Sequence, residues 1–300
     1  MKNIFFHKIT ICSWLILLLH GSLPARSHDS RLDVKKYYKG NELLEAAIKT
    51  RGSNLYTAAD QYATYLANFP HKAYEIKNIS GFGRMCVDGI NDVIKNRLRG
   101  CGIWEGDITP YIVNSIKPGT IALDIGAHVG THTISMSRAV GPHGLVIAFE
   151  PQKKIFRELY FNLILNNCVN VIPIRCALDS RHAYMVIRQD VPNNEGASYL
   201  MPDGPGERVI TVCLDDFNLN NVSCIKMDTE NSEEDVLKGA IQTIKRCKPT
   251  IVIEIQGNDV RTARHGEDKD ARTKSIIGLL ESLGYRVELI THCEYIAYPV

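Results

Sequence analysis

The sequence of 300 residues predicts an α/β protein with a doubly wound, mostly parallel sheet of seven strands behind a helical N-terminal region. Two observations predict this fold. From residue 119 onward, short apolar segments alternate with amphipathic ones, the pattern of a parallel sheet with helices on both faces. Four apolar segments also end in acidic or glycine-rich sequence, which is typical of a ligand site at the carboxyl ends of parallel strands.

Residues 1–27 have the order of a secretory signal peptide. Two lysines in "MKNIFFHK" precede the apolar run "ITICSWLILLL", and the small residues Ala25 and Ser27 follow it. The run is shorter than the roughly 20 apolar residues of a membrane span. We therefore expect a secreted or periplasmic protein, with a retained membrane anchor as the alternative. Nine cysteines occur, and the eight that follow this segment, an even number, fit an oxidising compartment, with Cys86 and Cys101 as the candidate disulfide pair.

Composition and charge place the rest of the chain among soluble globular proteins. Hydrophobic residues make up 45% and charged residues 23%, enough to build a core. The net charge of +2 and the lack of a long basic run give no indication of a nucleic-acid partner. Residues 28–100 are predicted to be a helical region, because apolar residues recur every three or four positions in "NELLEAAIKT", "LYTAADQYATYLANF" and "GRMCVDGINDVIKNRLRGCG".

The α/β pattern then gives the elements in order. The core strands are "TIALDIG", "GLVIAFEP", "VNVIPIRCAL", "SCIKMD" and "TIVIEIQ", and "RVELI" and "EYIAYP" close the sheet. The helices between them are "THTISMSRAV", which ends at a Gly-Pro pair, "KKIFRELYFNLILNN", "EEDVLKGAIQTIKRC" and "ARTKSIIGLLESLGY". Residues 181–215 form a β-rich insert, with strands in "AYMVIRQ" and "RVITVCLDD" around a middle rich in Gly, Pro and Asn.

The turn "LDIGAHVG", residues 123–130, indicates the ligand. Its spacing, Asp124-x-Gly126-x-x-x-Gly130, differs from the G-x-G-x-x-G that binds a dinucleotide. A glycine turn before a helix favours a small anion such as a carboxylate, and an acid on the strand can accept from an ammonium group. Glu150 ends the next strand and is placed to accept both hydroxyls of a ribose. A ligand with an amino-acid end, a ribose and no phosphate is S-adenosylmethionine.

The same segments, in order, resemble the FkbM family of S-adenosylmethionine-dependent methyltransferases. The resemblance is carried by "LDIGAHVG", "IAFEP", Asn162 and Asn166, "IKMDTENSEEDVLKGA" and the lead-in "GIWEGDITPYIVNSIKPGT". The resemblance runs from about Gly100 to Gln256, roughly half of the chain, and implies a class I methyltransferase-like (Rossmann-like) fold. We expect this domain to span residues 101–300. This chain has Asn231 where the family usually has glycine, and His128 where it often has asparagine.

The resemblance also implies roles for individual residues. The methionine end would be held by Asp124, Gly126, Ala127 and Gly130, with His128 in the same turn. Glu150 would hold the ribose, the segment from Ala177 to Asp179 would line the adenine pocket, and residues 228–230 would face the methyl group.

Transfer to a hydroxyl benefits from a base that takes the proton, and three acids stand at strand ends for that role. Asp228, Glu230 and Glu254 are the candidate catalytic residues. Alternatively, Glu230 and Glu233 merely stabilise the N-terminus of the following helix through its dipole. Glu105 is a candidate partner for the methionine ammonium group, and His128 is a weaker candidate base. The three carboxylates give only weak support for a metal ion, and none is predicted.

The predicted function is O-methylation of a hydroxyl on a sugar or another small or surface molecule. Two other classes stay open. An oxidoreductase that binds a nicotinamide cofactor or a nucleotide-sugar is disfavoured by the glycine spacing. A non-catalytic secreted binding module would explain a signal peptide on a protein whose cofactor is made in the cytosol. The intact set Asp124, Gly126, Gly130 and Glu150 argues against that second class.

Overall fold

The computed structural model describes residues 74–88, 91–100, 102, 104–255 and 269–300. The predicted signal segment 1–27, the two helices predicted between residues 41 and 69, and Cys101 lie outside these ranges. The proposed pairing of Cys101 with Cys86 therefore stays a prediction. Within the described ranges, no helix is both long enough and apolar enough to cross a membrane.

A seven-stranded sheet forms the centre of the protein, as predicted. Its strand order is β12-β13-β11-β10-β3-β4-β5, and only the two edge pairings that involve β13 are antiparallel. The order reverses between β3 and β10, where a crevice opens beyond the strand ends. The strands are β3 (Ile121–Ile125), β4 (Leu145–Phe149), β5 (Val171–Ile174), β10 (Val222–Met227), β11 (Thr250–Glu254), β12 (Tyr285–Leu289) and β13 (Glu294–Pro299).

Helices cover both faces of this sheet and enclose two apolar cores. Successive residues of β3 alternate between them: Leu123 and Ile125 belong to one core and Ala122 to the other. This alternation explains why the strands read as continuous apolar runs. The helices are α1 (Val93–Gly100), α2 (Thr109–Ser115), α3 (Thr131–Val140), α4 (Lys153–Leu165), α5 (Glu233–Lys238), α6 (Ile241–Cys247) and α7 (Lys269–Ser282).

An antiparallel hairpin precedes α1, where the sequence analysis predicted helix. Its strands are β1 (Tyr74–Ile79) and β2 (Gly83–Asp88), so the helix expected in "GRMCVDGINDVIKNRLRGCG" begins only at Val93. The helical prediction is wrong for this segment because β2 pairs with β1 and packs on α4. The Cys86 N–H donates to Asn162 Oδ1 at 2.7 Å, and the Arg84 N–H donates to Asn166 Oδ1 at 3.0 Å.

The β-rich insert is confirmed and forms its own four-stranded sheet, in the order β6-β9-β7-β8. Its strands are β6 (Ala177–Leu178), β7 (Ala183–Arg188), β8 (Tyr199–Met201) and β9 (Glu207–Val212). The run "VNVIPIRCAL" is therefore two strands in two different sheets rather than the single strand expected. The loop between β7 and β8, residues 189–198, is called the hairpin loop below.

The helix predicted over "EEDVLKGAIQTIKRC" is divided into α5 and α6 at Gly239. A Cβ at Gly239 would lie 2.1 Å from the Asp179 carbonyl oxygen, so the backbone of the insert occupies that space. The Asp215 carboxylate then accepts the N–H groups of Gln242 and Thr243 at 2.9 and 2.7 Å. These bonds satisfy amides at the start of α6 and fix the second helix as a separate element.

Candidate cofactor and active site

A cavity of about 270 Å³ opens at the carboxyl ends of β3, β4, β10 and β11. The hairpin loop and α1 close its other side. Most residues predicted for the cofactor and the catalytic base line this one cavity. These are Glu105, Gly126, Ala127, His128, Glu150, Ala177, Asp228, Glu230 and Glu254. The strand ends chosen from the sequence therefore meet at one cavity.

Asp124 and Gly130 belong to the turn at residues 123–130 but do not line the cavity. Asp124 is fully buried, and its Oδ2 accepts the Thr133 hydroxyl at 2.5 Å. Its Oδ1 has no hydrogen-bond partner among the described residues. A Cβ at Gly130 would meet Leu159 Cδ1 at 2.7 Å, so this glycine lets α3 pack close to α4.

Gly126 brings two strand ends together rather than making room for a ligand. Its φ is +82°, in the left-handed region, and a Cβ there would lie 1.7 Å from the Asp228 carbonyl oxygen. Lys226 reinforces this contact, because its Nζ donates to the Gly126 carbonyl at 3.3 Å. Gly126 thus fixes the distance between the turn at residues 123–130 and the loop that carries Asp228.

Glu150 lies at the end of β4 with both carboxylate oxygens anchored by backbone. The Gln152 N–H donates to Oε1 at 2.8 Å, and the His128 N–H donates to Oε2 at 3.0 Å. Burial raises the pKa of Glu150 to about 8 despite these two bonds. Each oxygen retains lone-pair capacity for a hydroxyl donor, as a ribose requires.

His128 adopts the left-handed conformation, with φ of +48°. Burial, followed by the nearby Lys95 ammonium group, lowers the pKa of His128 to about 4. Its imidazole is therefore neutral at pH 7, and its Nε2 has no hydrogen-bond partner in the described parts of the chain. His128 shapes the turn through its backbone, which donates to Glu150.

Lys226, Asp228 and Glu254 form the charged centre of the site. Burial works against the charge on Asp228, but Lys226 and the hydrogen bond from Glu254 outweigh it and hold the pKa of Asp228 below its usual value. Lys226 Nζ lies 3.3 Å from Asp228 Oδ2. Burial and the Asp228 charge raise the pKa of Glu254 strongly. Asp228 is thus the ionised carboxylate, and Glu254 is the protonated one.

The loop between β10 and α5 is held by Glu233, a buried residue that the sequence analysis assigned only to the helix terminus. Glu233 Oε1 accepts the N–H groups of Thr229 and Asn231 at 3.0 and 3.2 Å. Arg272 donates to its other oxygen at 2.5 Å. Asn231 has φ of +77°, which explains why a residue tolerant of the left-handed region stands there.

Glu105 also reaches the cavity, where its Oε2 lies 2.7 Å from His132 Nε2. The carboxylates of Asp228, Glu230 and Glu254 offer oxygens within 4.8 Å of one another, close enough to hold a divalent cation. In this structure the Lys226 ammonium group provides the positive charge beside Asp228. Lys226 is itself buried, and the Asp228 carboxylate pairs with its charge.

Sequence reasoning missed one wall of the cavity. The hairpin loop and the start of β8 supply polar atoms to this wall. Helix α1, about 100 residues earlier in the chain, supplies an apolar side chain. No local pattern connects these segments, because only tertiary packing brings them together. The missed lining residues on this side are Ile94, Asn194, Gly196, Ser198, Tyr199 and Leu200.

The chain is similar to known methyltransferases. It is 25% identical over 202 residues to Methyltransferase 1 of Beauveria bassiana, a match that covers 59% of this chain and 76% of the relative. A solved FkbM methyltransferase from Methylobacillus flagellatus is 17% identical with a TM-score of 0.41, over 68% of this chain and 52% of that one. This chain therefore spans about half the length of the Methylobacillus protein.

A solved S-adenosylmethionine-dependent O-methyltransferase from Thermotoga maritima is 14% identical, with a TM-score of 0.41, over 75% of this chain and 77% of that one. The model of the methyltransferase FkbM domain matches residues 124–287, more than half of the chain. The chain thus belongs to the FkbM methyltransferase family, and its cofactor is S-adenosylmethionine.

Proposed function

We propose that this protein transfers the methyl group of S-adenosylmethionine to a hydroxyl oxygen of a sugar or another small or surface molecule. The observation that carries the proposal is the state of Asp228. Its half-buried carboxylate lies at the cavity wall, 3.3 Å from Lys226 Nζ, and Lys226 together with the hydrogen bond from Glu254 favours its ionised form. Because it is ionised, this carboxylate can accept a proton from a hydroxyl group.

The cavity fits the parts of the cofactor. Glu150 would accept from the ribose hydroxyls and Glu105 from the ammonium group, since both side chains line the same cavity. The wall beyond Glu150 is apolar, as an adenine ring requires, and is formed by Phe149, Leu178, Ile187 and Leu200. When bound, S-adenosylmethionine supplies a methyl group already activated on a positively charged sulfur.

The charge of the cavity favours a neutral acceptor. Among the described residues, five acidic side chains, those of Glu105, Glu150, Asp228, Glu230 and Glu254, line it together with the single lysine Lys226. An anionic acceptor would meet the ionised Asp228 carboxylate at short range in a partly buried site, where like charges repel strongly. A hydroxyl-bearing glycan or polyol without acidic groups is therefore the acceptor class that fits.

In the proposed reaction the protein aligns the acceptor and accepts its proton. The hydroxyl oxygen forms a bond to the methyl carbon as the bond from carbon to sulfur breaks, and the hydroxyl proton passes to Asp228. Lys226 and the Glu254 hydroxyl hold Asp228 in place by hydrogen bonds until that transfer. The tight contact at Gly126 fixes Asp228 relative to the cofactor turn.

We also propose that the protein acts in the secretory pathway, either secreted or periplasmic, and that its partner is a small molecule or glycan rather than nucleic acid. The support is the order of residues 1–27 and the absence of a long basic run in the sequence. N-terminal sequencing of the protein purified from its host tests the first part. A start near residue 28 supports cleavage, and an intact N-terminus supports the anchor.

The proposed reaction is tested by incubating the full chain with S-adenosylmethionine labelled in its methyl group and with matched neutral and acidic glycans. We expect label in the neutral glycans, in an ether that survives alkaline hydrolysis. Label that alkali removes would indicate a methyl ester, and label in an amine would indicate N-methylation. Either result would overturn the proposed acceptor class.

A further inference from the structure

The hairpin loop lies over the part of the cavity assigned to the ribose. Asn194, Gly196 and Ser198 from this loop line the cavity together with Glu150 and Gln152. The loop is joined to that wall directly, because Gln152 Nε2 donates to the Glu195 carbonyl at 3.1 Å. The Gln152 backbone N–H in turn donates to Glu150. The position of Glu195 is thus connected to the ribose carboxylate through one residue.

The segment at the start of α1 holds this loop through hydrogen bonds to the loop backbone. The Val93 N–H donates to the Asn193 carbonyl at 2.9 Å, and the Glu195 N–H donates to Asp92 Oδ2 at 2.7 Å. The same helix packs against the loop, since a Cβ at Gly196 would meet Ile94 Cδ1 at 2.6 Å. One carbonyl group and one amide group of the loop are thereby hydrogen-bonded to a segment about 100 residues earlier in the chain.

A buried lysine completes the attachment. Lys95 is fully buried, and its Nζ lies 2.6 Å from Glu195 Oε2 and 2.8 Å from Glu158 Oε2. Burial opposes the charge on Lys95, but the two carboxylates outweigh it and raise its pKa. Lys154 on α4 provides a second cation, 2.5 Å from Glu195 Oε1. Since a buried charge is stable only when paired, breaking this network would release the loop.

We propose that Lys95 and Glu195 are positioning residues for the cofactor, forming a clasp that holds the hairpin loop against the ribose side of the cavity. The clasp makes α1, which precedes the region matched by the family model, a necessary part of the cofactor site. It determines how tightly the cofactor is retained, and it does not take part in methyl transfer. The proposal rests on the assignment of the cavity to S-adenosylmethionine.

The variant Glu195→Gln tests the clasp in the full chain, because it removes the charge while Lys95 keeps Glu158 as a partner. Asp203→Asn is the matched control, since it makes the same change at an exposed tip of the same insert. The dissociation constant and dissociation rate of S-adenosylmethionine are measured together with hydrogen exchange over residues 189–198. We expect Glu195→Gln to weaken binding by about tenfold, mainly through faster dissociation.

Hydrogen exchange in the hairpin loop of the cofactor-free variant should rise while the strands of the central sheet stay protected, and the control should remain within about twofold of wild type. Lys95→Met should act in the same direction; if it fails to fold, Glu195→Gln decides. The clasp is overturned if hydrogen exchange in the hairpin loop does not change. It is also overturned if the loop opens while the affinity for S-adenosylmethionine stays the same. A wild-type protein that binds no S-adenosylmethionine overturns the cofactor assignment, and the clasp with it.

Discussion

At the scale of single residues, Asp228 and Glu254 show how two carboxyl groups in one site acquire different states. Lys226 and the hydrogen bond from Glu254 hold the pKa of Asp228 below its usual value against the effect of burial, whereas burial and the charge on Asp228 raise that of Glu254. Their positions at strand ends were predictable from the sequence. Their charge states were not, because these depend on distances between strands that are far apart in the chain.

This difference predicts opposite sensitivities to amide substitution. Asp228→Asn should lower kcat by about 100-fold or more, because the residue that receives the proton is lost. Glu254→Gln should keep kcat within about threefold, because glutamine imitates the neutral acid that already occupies the position. Steady-state kinetics with saturating S-adenosylmethionine, alongside its dissociation constant, measures both. A larger loss in Glu254→Gln than in Asp228→Asn would reverse the assignment.

Glu150 gives a pH dependence whose sign follows from its raised pKa of about 8. Without ligand, the folded protein keeps a proton that the unfolded chain releases near pH 4.5. The contribution of Glu150 to stability is therefore full below that pH and is lost as pH rises through about 8. Ribose hydroxyls prefer the ionised acceptor, so cofactor binding should change in the opposite direction.

We expect the dissociation constant of S-adenosylmethionine to fall by about tenfold between pH 7 and pH 9, as Glu150 ionises. Calorimetric titration at several pH values measures this change. Glu150→Gln is the control, because its amide cannot ionise and this component of the pH dependence should disappear. A variant that keeps the full pH dependence would show that another group is responsible.

At the scale of elements, the periodicity of apolar residues predicted the core strands and most helices of the α/β region. It failed where packing between distant segments decided the outcome. One predicted helix is divided at Gly239, and the Asp179 carbonyl lies where a Cβ of that residue would stand. The β1–β2 hairpin likewise depends on Asn162 and Asn166 of α4, which satisfy backbone groups of β2. Such partners do not appear in a local pattern.

Two glycine-to-alanine substitutions separate the effects of packing and helix propensity. Gly239→Ala should lower the free energy of unfolding by about 1–3 kcal/mol or more, because its Cβ would collide with backbone. Gly278, within α7, has open space around it, so Gly278→Ala should stabilise the protein by about 0.5–1 kcal/mol. Urea denaturation of both variants checks this, and equal effects would contradict it.

At the scale of the whole molecule, the segment before the family-matched region is built into the same structure. Phe82, Met85 and Leu98 share an apolar core with Ile134 and Leu159 of the central domain. The sequence analysis predicted a helical region over residues 28–100 without its packing partners, because composition and periodicity do not reveal which segments share a core. The described part of that region, residues 74–88 and 91–100, packs with the domain.

Asn162 is the residue that connects these parts most directly. Its side chain accepts from the Cys86 N–H and donates to the Val129 carbonyl at 2.9 Å, so it joins the hairpin, α4 and the glycine turn. Asn162→Ala should destabilise the protein by about 2–4 kcal/mol, since two buried backbone groups lose their partner. The exposed Asn220→Ala should stay within about 0.5 kcal/mol of wild type. Similar midpoints of thermal unfolding for the two variants would contradict this role.

The most direct test of the central claim is calorimetric titration of S-adenosylmethionine into the full chain and into its Glu150→Ala variant. The cavity at the strand ends predicts one binding site per chain in the wild type. It also predicts at least a tenfold weaker affinity in the variant, a difference of about 1.4 kcal/mol. A folded wild-type protein that shows no binding would contradict the methyltransferase site and favour a binding module on an inherited fold.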